Sequence, residues 1–350
     1  MGLFSFRCFI LVIALAIVAT FTYLHPASAV LAHEQYVLTQ KQLDEGFAAS
    51  GINVLSALDN PENLKIAFFV GLGIIALGIF YFFFQYSKIG KKLDKLLLAM
   101  DPVGHVFLRI ALAASLIMSA RLYSYMGPEI PAVSLRLGSF FIPAMYVIGV
   151  LILFGVFTRV ASLAGLLILI AATLVYGEYI ITYLNYYGEY IALIVFGSYV
   201  LSFDNKLFGI SKLLKRYKDV ELLIIRVTYG ISVLYPAITI KFLHPKIIVD
   251  IANQYHLSEV KWLFPQDPLL ISLGTGMAQV LVGLMIIVGF ETRLASFVTF
   301  FLYFLSVIYF KEAVWPHYVL LALAAYLVFN NGGKYGLDHW IGILLKKQSV

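Results

Sequence analysis

Two short clusters hold the residues whose types and spacing could do chemistry. Glu178 and Glu189 stand eleven residues apart, and Glu312 and His317 five apart, with Tyr179, Tyr190, Trp315 and Tyr318 beside them. Such spacing places each pair across one turn between helices. A carboxylate facing an imidazole, partly shielded from water, can exchange protons near neutral pH. Walled by tyrosine and tryptophan, a pocket of this kind would suit a flat amphiphile such as a quinone headgroup. The competing reading is an interfacial belt of aromatics with wet carboxylates, common in membrane chains.

A second polar set occurs in duplicate. Thr158-Arg159 and Thr292-Arg293 read as a hydroxyl cap at a helix start followed by an Arg reaching lipid headgroups. Arg109 and Arg226 could do the same, or pair with Asp204 and Asp338, which should lie at the same depth. An ionisable group inside a bilayer costs about 2.5–3.5 kcal/mol, so each needs a partner or a cavity.

Other chemistry is excluded by what is missing. The single cysteine is Cys8, inside the first apolar run. If that run is removed, disulfides, thiolate metal sites, iron-sulfur ligation and haem attachment through cysteine go with it. The sequence shows no catalytic-triad signature, zinc spacing or dinucleotide fingerprint. The one weak metal candidate is His33, which becomes an N-terminal residue if cleavage follows Ala32; the plainer reading there is a polar tether.

These residues must be positioned by helices in lipid. In 350 residues, 61% are hydrophobic, only 13% are charged, and the mean hydropathy is +0.91. So much apolar surface could not be covered in water. The expectation is an all-α polytopic membrane protein. The net charge of +6 sits in short loops, so it signals orientation and not a nucleic-acid partner.

Residues 1–32 resemble a signal peptide with two plausible cut sites, against a retained signal-anchor helix. Residues 33–63 form an exported polar segment. Residues 64–104 hold a transmembrane helix and a basic loop with Lys88, Lys91, Lys92 and Lys95. Two four-helix units follow, 105–216 and 217–350. The nine spans place most Lys and Arg on one side, which implies an exported N-terminus and a cytoplasmic C-terminus in a prokaryotic plasma membrane.

The two units are related by an internal repeat. Gly149 through Ser162 align without gaps on Gly283 through Ser296, 134 residues on, with seven of fourteen pairs identical. A shift to 128 then matches Glu189-Tyr190 with His317-Tyr318 and Lys206 with Lys334. Even-numbered units enter and leave on one side, so the repeats are parallel. The second unit carries a longer loop, 243–268, which reads equally as a lid or docking surface and as a re-entrant or interfacial segment.

Arg226-Val-Thr-Tyr-Gly230, Lys241, Gly283, Thr292-Arg293-Leu-Ala295 and Asn331-Gly-Gly333-Lys-Tyr335-Gly-Leu337-Asp338 resemble the DoxX family of four-helix membrane proteins. Both units fit its outline. The departures are Met145 and Gln279 where the family often has an acid, His317 where Glu189 keeps the family's Glu, and a degraded closing motif around Asp204. The resemblance implies the membrane subunit or anchor of a quinone-linked redox complex, similar to a thiosulfate:quinone oxidoreductase. Quinone is then the one cofactor implied, and a partner subunit must supply the electron relay. The alternatives are a small-solute or lipid transporter and an assembly or docking factor without catalysis. Membrane lipid is the one certain partner, and the oligomeric state is not encoded in any motif.

Overall fold

The computed structural model describes residues 37–49, 51–131, 138–198, 201–208, 217–309 and 315–348. Residues 1–32, His33 and Glu312 lie outside them. Every regular element among the described residues is helical.

The polar segment after the N-terminus is more ordered than its composition suggests. Thr39 and Gln42 form a capping box that starts α1, Gln40–Ala48. Asn60 then caps α2, Pro61–Tyr86, whose Pro61 occupies a first-turn position where no N–H is missed. At about 1.5 Å per residue, 26 residues reach across a hydrocarbon layer of about 30 Å. Phe68, Phe69, Ile75, Phe80 and Phe83 on α2 are all exposed, which lipid tolerates and water would not.

Ser87 ends α2 and caps α3, Lys88–Ala99, an amphipathic helix with Ile89, Leu93 and Leu96 exposed along one side. The first repeat unit comprises α4 (Asp101–Arg121), α5 (Gly138–Phe154), α6 (Thr158–Tyr176), α7 (Leu184–Phe196) and the short α8 (Phe203–Phe208). The second comprises α9 (Lys218–Pro236), α10 (Pro245–Gln254), α11 (Pro268–Val288), α12 (Thr292–Tyr309), α13 (Trp315–Asn330) and α14 (Leu337–Gln348).

Nine of these helices are apolar and correspond one to one with the expected spans: α2, α4 to α7, α9 and α11 to α13. The apolar stretch Thr158–Phe196 runs 39 residues yet folds back on itself. A 3-10 turn at Gly177–Tyr183 separates α6 from α7. Arg159 then donates to the Val195 carbonyl at one end, while Thr173 and Tyr187 hydroxyls meet at the other, so the two helices are antiparallel. The fourth helix of the first unit thus spans 184–196 and ends where Gly197, with φ of 69°, breaks it. The first helix of that unit begins at Asp101, a few residues ahead of the unit boundary expected at 105.

The eight helices of the repeats form a ring. α4 packs on α5, α5 on α6, α6 on α7, α7 on α9, α9 on α11, α11 on α12, α12 on α13, and α13 back on α4. The first helix of each unit therefore packs on its own second helix and on the fourth helix of the other unit, far more than on its own fourth. Trp315 Nε1 donates to Ser119 at 2.9 Å across one such seam, and the Asn185 N–H donates to Ser232 Oγ at 2.8 Å across the other. One hydrophobic core runs through both units.

Glycines allow the closest helix approaches, as expected where lipid gives no drive for association. A Cβ on Gly230 would lie 2.9 Å from the Gly283 carbonyl, and one on Gly283 would lie 3.1 Å from the Gly230 carbonyl. After Pro236, α9 widens into a π turn, Ala237–Phe242, and Ser272 Oγ donates at 3.0 Å to the Lys241 carbonyl, which Pro245 has no N–H to serve.

Candidate functional site

The ring has two chemically distinct ends. At the first, α4 and α9 start side by side: Lys218 meets Asp101 at 2.5 Å, and His105 lies between Asp101 at 3.2 Å and Glu221 at 3.4 Å. Because α5 and α11 run antiparallel to α4 and α9, both Thr-Arg corners lie at this same end. The sequence reading passed over this four-residue cluster. The i, i+4 spacing of Asp101 and His105 was visible in it, but Glu221 and Lys218 come from the other unit.

The two Thr-Arg corners are built alike. In the first, Asp204 accepts from the Phe157 and Thr158 N–H groups, both at 2.8 Å, and its own N–H donates to the Gly155 carbonyl at 2.9 Å. In the second, Asp338 accepts from Glu291 at 2.8 Å and Thr292 at 3.3 Å, and donates to Gly289 at 3.0 Å. Gly155 and Gly289 have φ of 65° and 72°, and Phe157 and Glu291 have φ of 47° and 43°. That left-handed corner turns two amides toward the carboxylate. The capping groups are therefore Asp204 and Asp338, where Thr158 and Thr292 had been expected to cap. Thr158 instead bonds Ser198 Oγ at 2.7 Å, and the buried Thr292 hydroxyl has no partner among the described residues.

The arginines take backbone partners. Arg109 donates to the Leu201 carbonyl at 2.9 Å. Arg226, fully buried, donates to Gly332 and, at 3.1 Å, to Tyr335. Both guanidiniums fasten the loop after the unit's fourth helix. Arg293 reaches Val328 at 2.8 Å and Phe329 at 3.2 Å and pairs with Asp94 of α3. The 134-residue offset thus returns at Asp204 and Asp338. Lys206, inside α8, and Lys334, whose N–H donates to Asp219, do not correspond as the 128 offset had them.

Glu291 has no counterpart in the first unit, where Phe157 is exposed. It is 2% exposed beneath Gly78 of α2, and burial, then the Asp338 charge, pushes its carboxyl up to about 7. Burial also raises Asp338, against the two amide bonds that pull it down.

At the opposite end the two units enclose a cavity of about 250 Å³. Tyr183, Asn185 and Tyr186 come from the first unit; Ser232, Lys241, Gln279, Tyr303 and His317 come from the second. The 243–268 loop covers it with Ile248 and Ile251 of α10 and with Leu257, Leu263 and Phe264. The segment after the N-terminus completes the cover. Val37, Leu38 and Leu43 pack on Ile247 and Ile251, and Gln254 donates to the Val37 carbonyl at 2.7 Å.

Inside, Asn185 is 1% exposed and its Nδ2 has no partner among the described residues; Gln279 Oε1 is in the same condition. The Tyr303 and His317 rings lie 5.8 Å apart. Ser232, Lys241 and Thr275 add polar groups to a wall that is otherwise mostly apolar.

Of the residues expected to form one pocket, His317 lines this cavity and Glu312 lies outside the described residues. Glu178 is exposed on the 3-10 turn, and Tyr318 is 47% exposed. Tyr190 is buried with its ring against Gly165. Glu189 is buried one helical turn beyond Asn185, with neither carboxyl oxygen bonded among the described residues. The acid near the cavity's rim is Glu129, buried in the α4–α5 loop, which accepts from Tyr179 at 3.0 Å and from Tyr183. No local pattern marked Glu129, since its partners lie some fifty residues on.

Among the described residues, no three His, Cys, Asp or Glu side chains gather to hold a metal ion. No curated protein and no solved structure matches the chain. The DoxX family model matches residues 221–312, from the first turn of α9 to just past α12. With its apolar helices this chain is a multi-pass membrane protein, and its second unit is similar to the DoxX family.

Proposed function

We propose that this protein holds the headgroup of a quinone-class amphiphile in the cavity between its units, as the membrane subunit or anchor of a quinone-linked redox complex. The observation that carries this reading is the pairing of an apolar, lidded cavity with an orphaned buried donor, Asn185 Nδ2. A buried polar group without a partner costs about 1–3 kcal/mol, which a ligand carbonyl would relieve. At about 250 Å³ the space falls just below the roughly 300–1,000 Å³ of drug-sized sites, room for a ring headgroup but not for an isoprenoid tail.

The residues divide the task. Asn185 donates to a carbonyl, Tyr303 and His317 face the ring, and the α10 cover excludes water. A bound quinone would supply two-electron redox chemistry, with electrons delivered by a partner subunit. We read the Thr-Arg end as cytoplasmic in a prokaryotic plasma membrane, because Lys91, Lys334 and Arg293 gather there.

Titration of the purified protein with a short-tailed quinone, followed by quenching of tryptophan fluorescence, tests the reading. Saturable quenching should weaken about tenfold or more in Asn185→Leu, which removes the donor and fills the space. Quenching that never saturates in the wild-type protein, or is unchanged in that variant, overturns it.

A further inference from the structure

A second cavity, of about 720 Å³, lies at the Thr-Arg end, far from the lidded one and unrelated to the quinone reading. Its walls come from the end of α2, from α3, from the corner of the second unit and from α14. This is the level where the apolar α2 gives way to two amphipathic helices. Its lining includes the apolar Phe84, Leu93, Leu97, Ile343 and Leu345 and the polar Gln85, Lys91, Thr292 and Lys334. A lining of both kinds fits a molecule with both a charged head and a hydrocarbon body.

The lining carries Lys91, Arg293 and Lys334 against Asp94, Asp219 and Asp338. Each of its three acids is already satisfied. Asp94 pairs with Arg293, Asp219 sits 3.1 Å from Lys334, and Asp338 accepts two backbone N–H groups. Lys91 has no ion pair among the described residues. With Arg293 and Lys334 engaged by acids, Lys91 is the lining cation left for an anion, and Lys88, Lys92 and Lys95 add positive charge to the same helix outside the lining.

Two buried polar groups point to an absent partner. Thr292 is 0% exposed and its hydroxyl is unbonded, and Gln85 Nε2 is likewise unbonded. The first unit provides the comparison: at the matching corner, Ser198 satisfies the Thr158 hydroxyl at 2.7 Å. The donor left over in the second unit lies where α2 and α3 close the cavity.

We infer that this cavity binds the phosphodiester headgroup of an anionic phospholipid, with Lys91 as counter-charge and with Thr292 and Gln85 as hydrogen-bond donors. The apolar residues of the lining would hold the first part of an acyl chain, which a free phosphate lacks.

Native mass spectrometry of the full chain, after delipidation and incubation with mixed micelles of phosphatidylglycerol or phosphatidylcholine, tests this. Wild-type protein should retain phosphatidylglycerol at least about fivefold better than phosphatidylcholine. Lys91→Gln, a change at an exposed side chain, should remove that preference with the melting temperature unchanged; Lys41→Gln, on the exposed α1, should keep it. Equal retention of the two lipids by wild type, or a preference that survives Lys91→Gln, overturns the inference. Displacement of phosphatidylglycerol by millimolar inorganic phosphate would also overturn it, because the site would then be one for a free anion. Failure of quinone binding in the other cavity would leave this result untouched.

Discussion

Asp204 and Asp338 show how one side chain sets a corner in a membrane protein. Each turns two amides of a left-handed turn into partners at the start of the third helix, where a bilayer offers no water as a substitute. Replacing either by Ala should cost about 1–2 kcal/mol, as for other lost caps, read as a lower melting temperature in mild detergent; Asn should recover part of it. An unchanged melt for Asp338→Ala would show that the corner does not depend on its carboxylate. Glu291 gives a pH signature beside it. Its folded pKa of about 7 lies above the ordinary 4.5, so the folded chain keeps a proton that the unfolded chain gives up. Stability from this group is full below about pH 4.5 and is lost as pH rises toward and past 7, by on the order of 1–3 kcal/mol. Glu291→Gln should flatten that decline; an equally steep decline in the variant would assign the effect elsewhere. The sequence displayed these acids and arginines but not their partners. Arg226 looked ready for Asp338, whereas in the fold both side chains turn to backbone groups whose orientation depends on positive φ at Gly289 and Glu291.

At the scale of the helices, hydropathy alone located the nine apolar helices, because a bilayer imposes length and polarity on each stretch separately. Ends were less legible. The break at Gly197 needed its left-handed φ, and Thr158–Phe196 hides a reversal that no charge marks. The 243–268 loop was readable as polar and interrupted, and one of its two readings was a lid. That α10 covers a cavity follows from Ile247 and Ile251 meeting Val37, Leu38 and Leu43, residues some two hundred positions earlier. The glycine pair Gly230 and Gly283 tests helix packing directly. Gly283→Leu must push α9 and α11 apart, since even a single added carbon would fall within 3.1 Å of the facing carbonyl. A loss of about 1–3 kcal/mol is expected from overpacking. Gly274→Ala, on the same helix with nothing within 4 Å of the added carbon, should be close to neutral. Equal melting of the two variants would mean that the close approach contributes nothing.

For the whole molecule, the decisive feature is that the units close on each other. Had each four-helix unit sealed itself, α4 would pack chiefly on α7 and α9 on α13. In the ring these first and fourth helices pair across the units: Gly188 of α7 fits against Thr228 of α9, and Gly104 of α4 against Tyr326 and Phe329 of α13. Separating the units would expose Tyr186, Tyr229 and Tyr326, each fully buried in the shared core. Their hydroxyls and rings would then face lipid without the neighbours that now enclose them. The lidded cavity would vanish too, because Asn185 and Tyr186 come from one unit and Tyr303 and His317 from the other. A chain cut between Phe208 and Tyr217 and expressed as two polypeptides should therefore reassemble. The halves should co-purify at equal amounts and melt together, while either alone gives aggregated or unstable protein. Monodisperse, stable single halves would refute the ring as the source of stability. Self-sealing bundles would then be the better account, and the cavity between them an accidental gap.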